Sequence, residues 1–136
     1  MKEKNFNISK ILYLDDRSPN EMFKKHQISV KYETEPPHGD AIYSIVIKEK
    51  LLPFWIYGRN IIFIGDTKVM VESVKCKTWS PVHSILIDLE KGMYADLMEW
   101  YTEITFFNNQ IKMVNYFKEK DALILNNFDD LQWIDL

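Results

Sequence analysis

Cys76, His83 and Asp88 bring a thiol, an imidazole and a carboxylate together in order, and these are the residue types of a nucleophilic site. A cysteine nucleophile must ionise readily and lie within hydrogen-bonding distance of a base, and spacing along a chain shows neither property. Free cysteines are commonly buried as small hydrophobic residues. We therefore expect Cys76 to be structural, and the sequence predicts no catalytic residues from this group.

The spacing of the histidines and glycines supports neither a metal site nor a phosphate-binding loop. The histidines at His26, His38 and His83 are far apart, without paired cysteines or a repeated i, i+4 pattern. Such spacing is unlike that of protein zinc sites. The four glycines are isolated, so neither a P-loop nor a Rossmann loop is present. We expect no metal and no bound cofactor.

Aromatic and acidic residues offer a different chemistry, which is protein recognition. The chain has four Trp, seven Tyr and eight Phe, and from Lys91 onward it has eight acidic residues against four lysines. Tryptophan and tyrosine are common interface anchors, and acidic charge speeds association with a basic partner. The residues predicted to bind a partner are Asp96, Glu99, Phe128, Asp129, Asp130 and Trp133.

Alternating and continuous apolar stretches predict the strands that position these groups. Ile28 to Thr34 alternates as a half-buried strand does, and strands are also expected at 10–15, 41–47, 81–89 and 122–125. Residues 53–75 read as a β-meander, because Gly58-Arg59-Asn60 and Gly65-Asp66-Thr67 are typical hairpin turns. Residues 101–117 read as a second hairpin around Asn108-Asn109.

Three short helices complete the predicted fold. Ser18, Pro19 and Glu21 form a capping box that begins the first helix. Apolar residues in 93–101 recur at helical spacing, and Asp129 and Asp130 would lie at the positive end of a helix over 127–134. The sequence thus predicts an α+β fold, mostly antiparallel, in one domain spanning residues 1–136.

Composition narrows the class of protein. The formal charge is −3 with 46% hydrophobic residues, which indicates a globular chain and argues against nucleic-acid binding. A single cysteine closes no internal disulfide and fits a reducing compartment. No uncharged stretch approaches the ~20 residues of a membrane helix, and the first residues lack the pattern of a signal peptide. We expect a soluble, cytoplasmic protein without membrane contact.

One local motif resembles a known enzyme family. Residues 12–23, LYLDDRSPNEMF, resemble the first strand and helix of cholera- and pertussis-like ADP-ribosyltransferases, in which this motif begins the NAD pocket. The match includes Asp15, Arg17, Pro19 and Glu21, whereas Tyr13 occupies the place of the family's NAD-binding arginine. The resemblance implies an NAD site that uses Arg17, with Glu103 in the place of the catalytic glutamate.

The sequence therefore supports two main hypotheses. The first is a non-enzymatic module that binds and neutralises another protein with a basic surface, as bacterial immunity proteins, antitoxins and phage-encoded inhibitors do. The alternative is an enzyme or an NAD-binding remnant of the ADP-ribosyltransferase type, which would use Arg17 and Glu103. A third is a structural subunit of a phage or secretion particle, which would self-assemble.

Overall fold

A computed structural model describes residues 7–14, 21–108, 110–118 and 121–136. Its strands are β1 (Ile8–Leu12), β2 (Ile28–Thr34), β3 (Ile42–Ile47), β4 (Lys50–Tyr57), β5 (Ile61–Ile64), β6 (Lys68–Val74), β7 (His83–Asp88), β8 (Met93–Asp96), β9 (Glu103–Phe107), β10 (Gln110–Val114), β11 (Leu123–Leu125) and β12 (Ile134–Asp135). Helix α1 (Glu21–Lys25) and a 3₁₀ turn (Phe128–Asp130) are the helical elements of these ranges.

The predicted α+β class is wrong. Strands make up 51% of the described residues and helical turns 7%, and no helix in this part reaches seven residues. The protein is a mostly antiparallel β-sheet fold. The capping residues Ser18 and Pro19 lie outside the described residues, while Met22 and Phe23 of α1 are partly buried and pack on the core.

The helix predicted over 93–101 is replaced by strand β8 and an irregular segment. β8 hydrogen-bonds to β7 on one side and β12 on the other. Tyr94 of β8 packs on the first of two hydrophobic cores, and Leu97, just after the strand, is buried in the second, so these apolar residues do not share one helical face. Met98 has φ 66°, which no α-helix accommodates. Strand pairing thus overrides a weak helical spacing.

In place of the helix predicted over 127–134, the structure has the 3₁₀ turn Phe128–Asp130, which is shorter than one turn of α-helix. The Asn127 side chain accepts a hydrogen bond from the Asp129 backbone N–H and caps the 3₁₀ turn. Leu131 is already extended, at φ −84° and ψ 156°. The chain then joins β8 as strand β12, because pairing there satisfies backbone groups that a short terminal helix would leave exposed.

The larger sheet has nine strands, in the order β12-β8-β7-β6-β4-β3-β2, with β5 pairing to β6 and β1. Of the meander predicted over 53–75, the three strands and the β5–β6 hairpin at Gly65-Asp66-Thr67 are present, but the β4–β5 pairing is wrong, because β4 and β5 lie one after the other on the same edge of β6. Ile56 is opposite Ser73 and Ile62 is opposite Met70, so residues 57–61 face only two residues of β6. The segment Gly58-Arg59-Asn60 forms a bulge instead of a hairpin turn.

The two faces of this sheet cover two separate cores. Along β6, Val69 and Val71 belong to the first core and Met70 to the second, as the two-residue period of a strand requires. The sheet curls around the first core, where the rings of Phe54 and Tyr94 lie 5.4 Å apart.

The second core lies under a three-stranded sheet, β11-β10-β9. The hairpin predicted over 101–117 is present, with Phe107 of β9 opposite Gln110 of β10, while Asn109 of the predicted turn lies outside the described residues. Ile104, Ile111 and Met113 point inward with at most 1% exposure. This sheet fixes the ends of segments 97–102 and 115–118, which build the site described next.

Candidate functional site

Two neighbouring cavities share Trp100 as a wall, and together they form what we call the Trp100 cleft. The smaller, of about 400 Å³, is lined by Tyr13, Asp40, Arg59, Asn60, Trp100 and Phe117. The larger, of about 570 Å³, is lined by Ser80, Pro81, Val82, His83, Met98, Glu99, Trp100 and Lys118. These volumes are typical of ligand pockets or of recesses that receive partner side chains.

Trp100 is held between the two sheets by its neighbours. The hydroxyl of Ser84 on β7 accepts a hydrogen bond from the Tyr101 N–H at 2.8 Å and donates one to the Tyr101 carbonyl at 3.1 Å. The Asn115 side chain, just after β10, donates to the Trp100 carbonyl at 2.9 Å. The backbone of Trp100 is therefore anchored to both sheets, and its ring is set at their junction.

The indole ring of Trp100 has both an aromatic and two cationic neighbours. The Phe117 ring stacks on it at 6.0 Å with an interplanar angle of 19°. The guanidinium of Arg59 lies 5.7 Å from the Trp100 ring centroid and the Lys118 ammonium 5.9 Å from it. The indole Nε1 is buried and has no hydrogen-bond partner among the described residues.

Arg59 stands at the sheet bulge and is fixed from three directions. Its Nε donates to Glu72 Oε1 at 2.7 Å, and its Nη1 donates to Asp40 Oδ2 at 3.1 Å. Its guanidinium also lies over the Tyr57 ring at 4.1 Å. Burial works against the charged form of Arg59, but the hydrogen bonds that Arg59 donates to Glu72 and Asp40, together with the negative charges of both carboxylates, outweigh it and raise the Arg59 pKa.

Glu72 explains why the bulge forms where it does. Its side chain is 2% exposed, and besides Arg59 it accepts a hydrogen bond from Asn60 Nδ2 at 3.0 Å. A buried carboxylate is tolerated only when it is paired and hydrogen-bonded. The bulge residues supply both partners. One cation shared by Glu72 and Asp40 leaves one net negative charge beside the smaller cavity.

A histidine and a carboxylate meet on the other side of the cleft. His83 Nδ1 lies 3.2 Å from Asp96 Oδ1, and that oxygen also accepts the Met98 N–H at 2.8 Å. Asp88 is at the opposite end of β7, about 16 Å along an extended strand. Cys76 lies close to the Pro53 carbonyl, with Sγ 3.8 Å from the oxygen. Cys76, His83 and Asp88 therefore do not form a triad.

The six residues predicted to bind a partner are divided between two places. Glu99 lines the larger cavity of the Trp100 cleft, and Asp96 lies beside that cavity, in contact with His83 of its lining. Phe128 contacts Lys68, at the end of β6 that pairs with Asp88, so the second group lies at the far end of the sheet. The structure does not bring the two acidic groups together.

The residues of the second group differ in exposure. Asp129 and Asp130 are exposed in the 3₁₀ turn. Trp133 is half-buried, and its Nε1 donates to the Phe128 carbonyl at 3.0 Å. Phe128 is 2% exposed and belongs to the second core, which corrects its assignment as a surface anchor.

The residues implied by the ADP-ribosyltransferase resemblance are only partly described. Arg17 lies outside the described residues. Glu103 is the first residue of β9, and a hydrogen bond to its carboxylate raises the Tyr116 pKa. Tyr13 lines the smaller cavity and donates its hydroxyl to Asn60 Oδ1 at 2.9 Å.

Sequence reasoning missed Arg59, Glu72, Trp100 and Phe117 as site residues. A usable signal was that Arg59 is one of only two arginines among seventeen basic residues. Arginine is preferred to lysine where a carboxylate must be held in fixed geometry. The stacking of Trp100 on Phe117 joins two loops that no sequence pattern relates.

Comparison with protein-family models gives no match for this chain, and neither curated proteins nor solved structures give one. Within the described ranges, no His, Cys, Asp or Glu cluster is arranged to hold a metal ion. The helical segments of the same ranges are too short to cross a membrane.

Proposed function

We propose that this protein is a cytoplasmic, non-enzymatic binding module that captures another protein at the Trp100 cleft and neutralises or regulates it. The observation that carries the proposal is a group of exposed apolar side chains around the cleft. Phe117 and Met98 line the cleft and are 78% and 67% exposed, and Tyr116 (71%) and Trp79 (47%) are next in the chain to the lining residues Phe117 and Ser80. Immunity proteins, antitoxins and phage-encoded inhibitors act in this way.

Exposed rings next to a concave site favour binding to a protein. Tryptophan, tyrosine, phenylalanine and methionine are enriched at the buried centres of protein interfaces, where they fill pockets on the partner. Each large side chain covered by a partner removes apolar surface from water, at roughly 25 cal/mol per Å² before the costs of association. The acidic side chains of Asp96 and Glu99 favour a basic partner surface.

A capture experiment with cleft variants tests this function. Purified protein carrying Phe117→Ala or Met98→Glu is compared with the unchanged protein in binding host proteins from an extract, followed by binding measurements with each purified candidate. Phe107→Ala is the matched control, because Phe107 is 71% exposed on the three-stranded sheet outside the cleft lining. We expect a partner whose affinity falls about tenfold or more in both cleft variants, as loss of a hot-spot residue does.

A partner that binds both cleft variants and the control equally would refute the assignment of the cleft. The ADP-ribosyltransferase-like alternative is tested separately by thermal unfolding with NAD. NAD at 100 times its Kd should add about 2.7 kcal/mol to stability if a site exists. Self-assembly on size-exclusion chromatography would instead favour a structural subunit.

A further inference from the structure

We infer that the smaller cavity of the Trp100 cleft receives one cationic side chain, a lysine or an arginine, from the partner protein. The inference rests on the proposed function and names the group that the cleft recognises. It depends on the rings and the carboxylates that surround this cavity.

Three aromatic rings line the smaller cavity, from Tyr13, Trp100 and Phe117. Phe117 and Tyr13 are 78% and 47% exposed, and across the described ranges no cation lies over either ring. The face of an aromatic ring attracts a cation within about 6 Å of its centroid. The rings therefore offer unused surfaces suited to an ammonium or guanidinium group.

The charges beside the cavity favour the same class of group. The positive charge of Arg59 is shared between Glu72 and Asp40, at 2.7 and 3.1 Å. The Asp40 side chain is 60% exposed, and its Oδ1 has no hydrogen-bond partner in the described part of the chain. An incoming cation can therefore pair with Asp40 while it covers a ring, and it meets a net negative charge.

An anionic group is the competing occupant, since Arg59 has N–H groups beyond the two that bind the carboxylates. A carboxylate at this place would lie close to Asp40, and repulsion between the two would oppose its binding. Lys118 lines the larger cavity, and its ammonium lies 5.9 Å from the Trp100 ring that both cavities share. A cation in the smaller cavity would therefore lie over Phe117 or Tyr13 and not over Trp100.

The test uses amino-acid probes and the indole N–H signal of Trp100 in ¹H–¹⁵N NMR spectra, assigned with Trp100→Phe. The probes are N-acetyl-arginine amide, N-acetyl-lysine amide, N-acetyl-aspartate amide and N-acetyl-leucine amide, all at matched ionic strength. We expect the two cationic probes to shift the Trp100 signal in a saturable way. The shift should require about fivefold more probe in Asp40→Asn, the weakening expected when a partly exposed charge pair is lost.

Asp66→Asn is the matched control, because Asp66 is an exposed aspartate paired with Lys25 away from the cleft. It should bind the probes as the unchanged protein does. A stronger response to the aspartate or leucine probe would overturn the inference, as would equal binding of the cationic probes to Asp40→Asn and the unchanged protein.

The failure of this inference and the failure of the proposed function give different results. If a partner loses affinity for Phe117→Ala but not for Asp40→Asn, the cleft binds a protein without a cationic anchor. If a partner instead binds both Phe117→Ala and Met98→Glu as it binds the unchanged protein, the proposed function fails, while the probe titration still decides whether the cavity takes cations.

Discussion

At the scale of single residues, Glu72 connects the fold to the candidate site. Its buried carboxylate holds Arg59 and Asn60, and Arg59 in turn lies against Trp100 and Asp40. A buried ion pair adds little net stability by itself, because desolvation of both charges offsets their attraction. Replacing only one member of such a pair lowers stability, since the remaining buried charge is left without its partner. Glu72 therefore determines where the arginine of the cleft is placed.

We predict that Glu72→Ala lowers the free energy of unfolding by about 3 kcal/mol, because Arg59 and Asn60 lose their buried acceptor. Glu72→Gln keeps an amide oxygen for one of these donors and should cost less. Urea unfolding of both variants measures the effect, with Glu35→Ala as a control at an exposed glutamate. Equal stability of Glu72→Ala and the control would show that the pair does not hold the bulge.

At the scale of elements, the accuracy of each prediction followed the strength of its local pattern. The predicted strand over 28–34 is confirmed as β2, in which Ile28 and Val30 pack on the first core, whereas Tyr32 of the same predicted face is 52% exposed. β8 has only four residues and is stabilised by pairing with β7 and β12, contacts between distant segments that leave no local pattern. Tertiary pairing therefore decided the elements that were wrong.

The candidate site was less predictable than the strands. Asp96 and Glu99 were named from charge alone; Glu99 lines the larger cavity and Asp96 contacts His83 beside it, and their role in binding stays a prediction. Arg59 was assigned to a hairpin turn because glycine and asparagine flank it. Whether such residues turn a chain back or form a bulge depends on the opposite strand, where buried Glu72 requires partners.

The β3–β4 turn provides an element-scale prediction. Lys48 and Glu49 have φ of 49° and 69°. Residues other than glycine rarely adopt this backbone conformation, which type I′ hairpin turns require. We expect Glu49→Gly to stabilise the protein by up to about 1 kcal/mol, since it relieves this strain.

Thermal unfolding should show this gain as a rise in Tm of roughly 3 °C. Glu90→Gly is a suitable control, because Glu90 lies in another turn and is not among the residues with positive φ. Glycine there increases only the entropy of the unfolded chain, so Tm should fall or stay constant. A lower Tm for Glu49→Gly would argue against strain at this turn.

At the scale of the whole molecule, one sheet separates two cores and places charged groups at its two ends. The Trp100 cleft is at the end where Ser73 pairs with His83, and the acidic 3₁₀ turn is near the end where Lys68 pairs with Asp88. A partner docked on the cleft would not need to touch Asp129 and Asp130. Their negative charge can still act at a distance on a basic partner during approach.

We therefore predict that Asp129→Lys combined with Asp130→Lys slows association with a basic partner by up to about tenfold at low salt, with little change in dissociation. Both side chains are exposed, so the fold should be unaffected. Stopped-flow measurements over a range of salt concentrations check this, and the salt dependence of the association rate should weaken. An unchanged association rate would remove these residues from the recognition process.

The position of Trp100 has a practical consequence for detecting ligands. Of the four tryptophans, Trp100 alone lines the two cavities, between the cations of Arg59 and Lys118. Indole emission responds to nearby charge and to the loss of surrounding water. With the other three tryptophans replaced by phenylalanine, all tryptophan fluorescence would come from Trp100. A molecule that enters the cleft would then change this fluorescence, and its binding could be followed without a label.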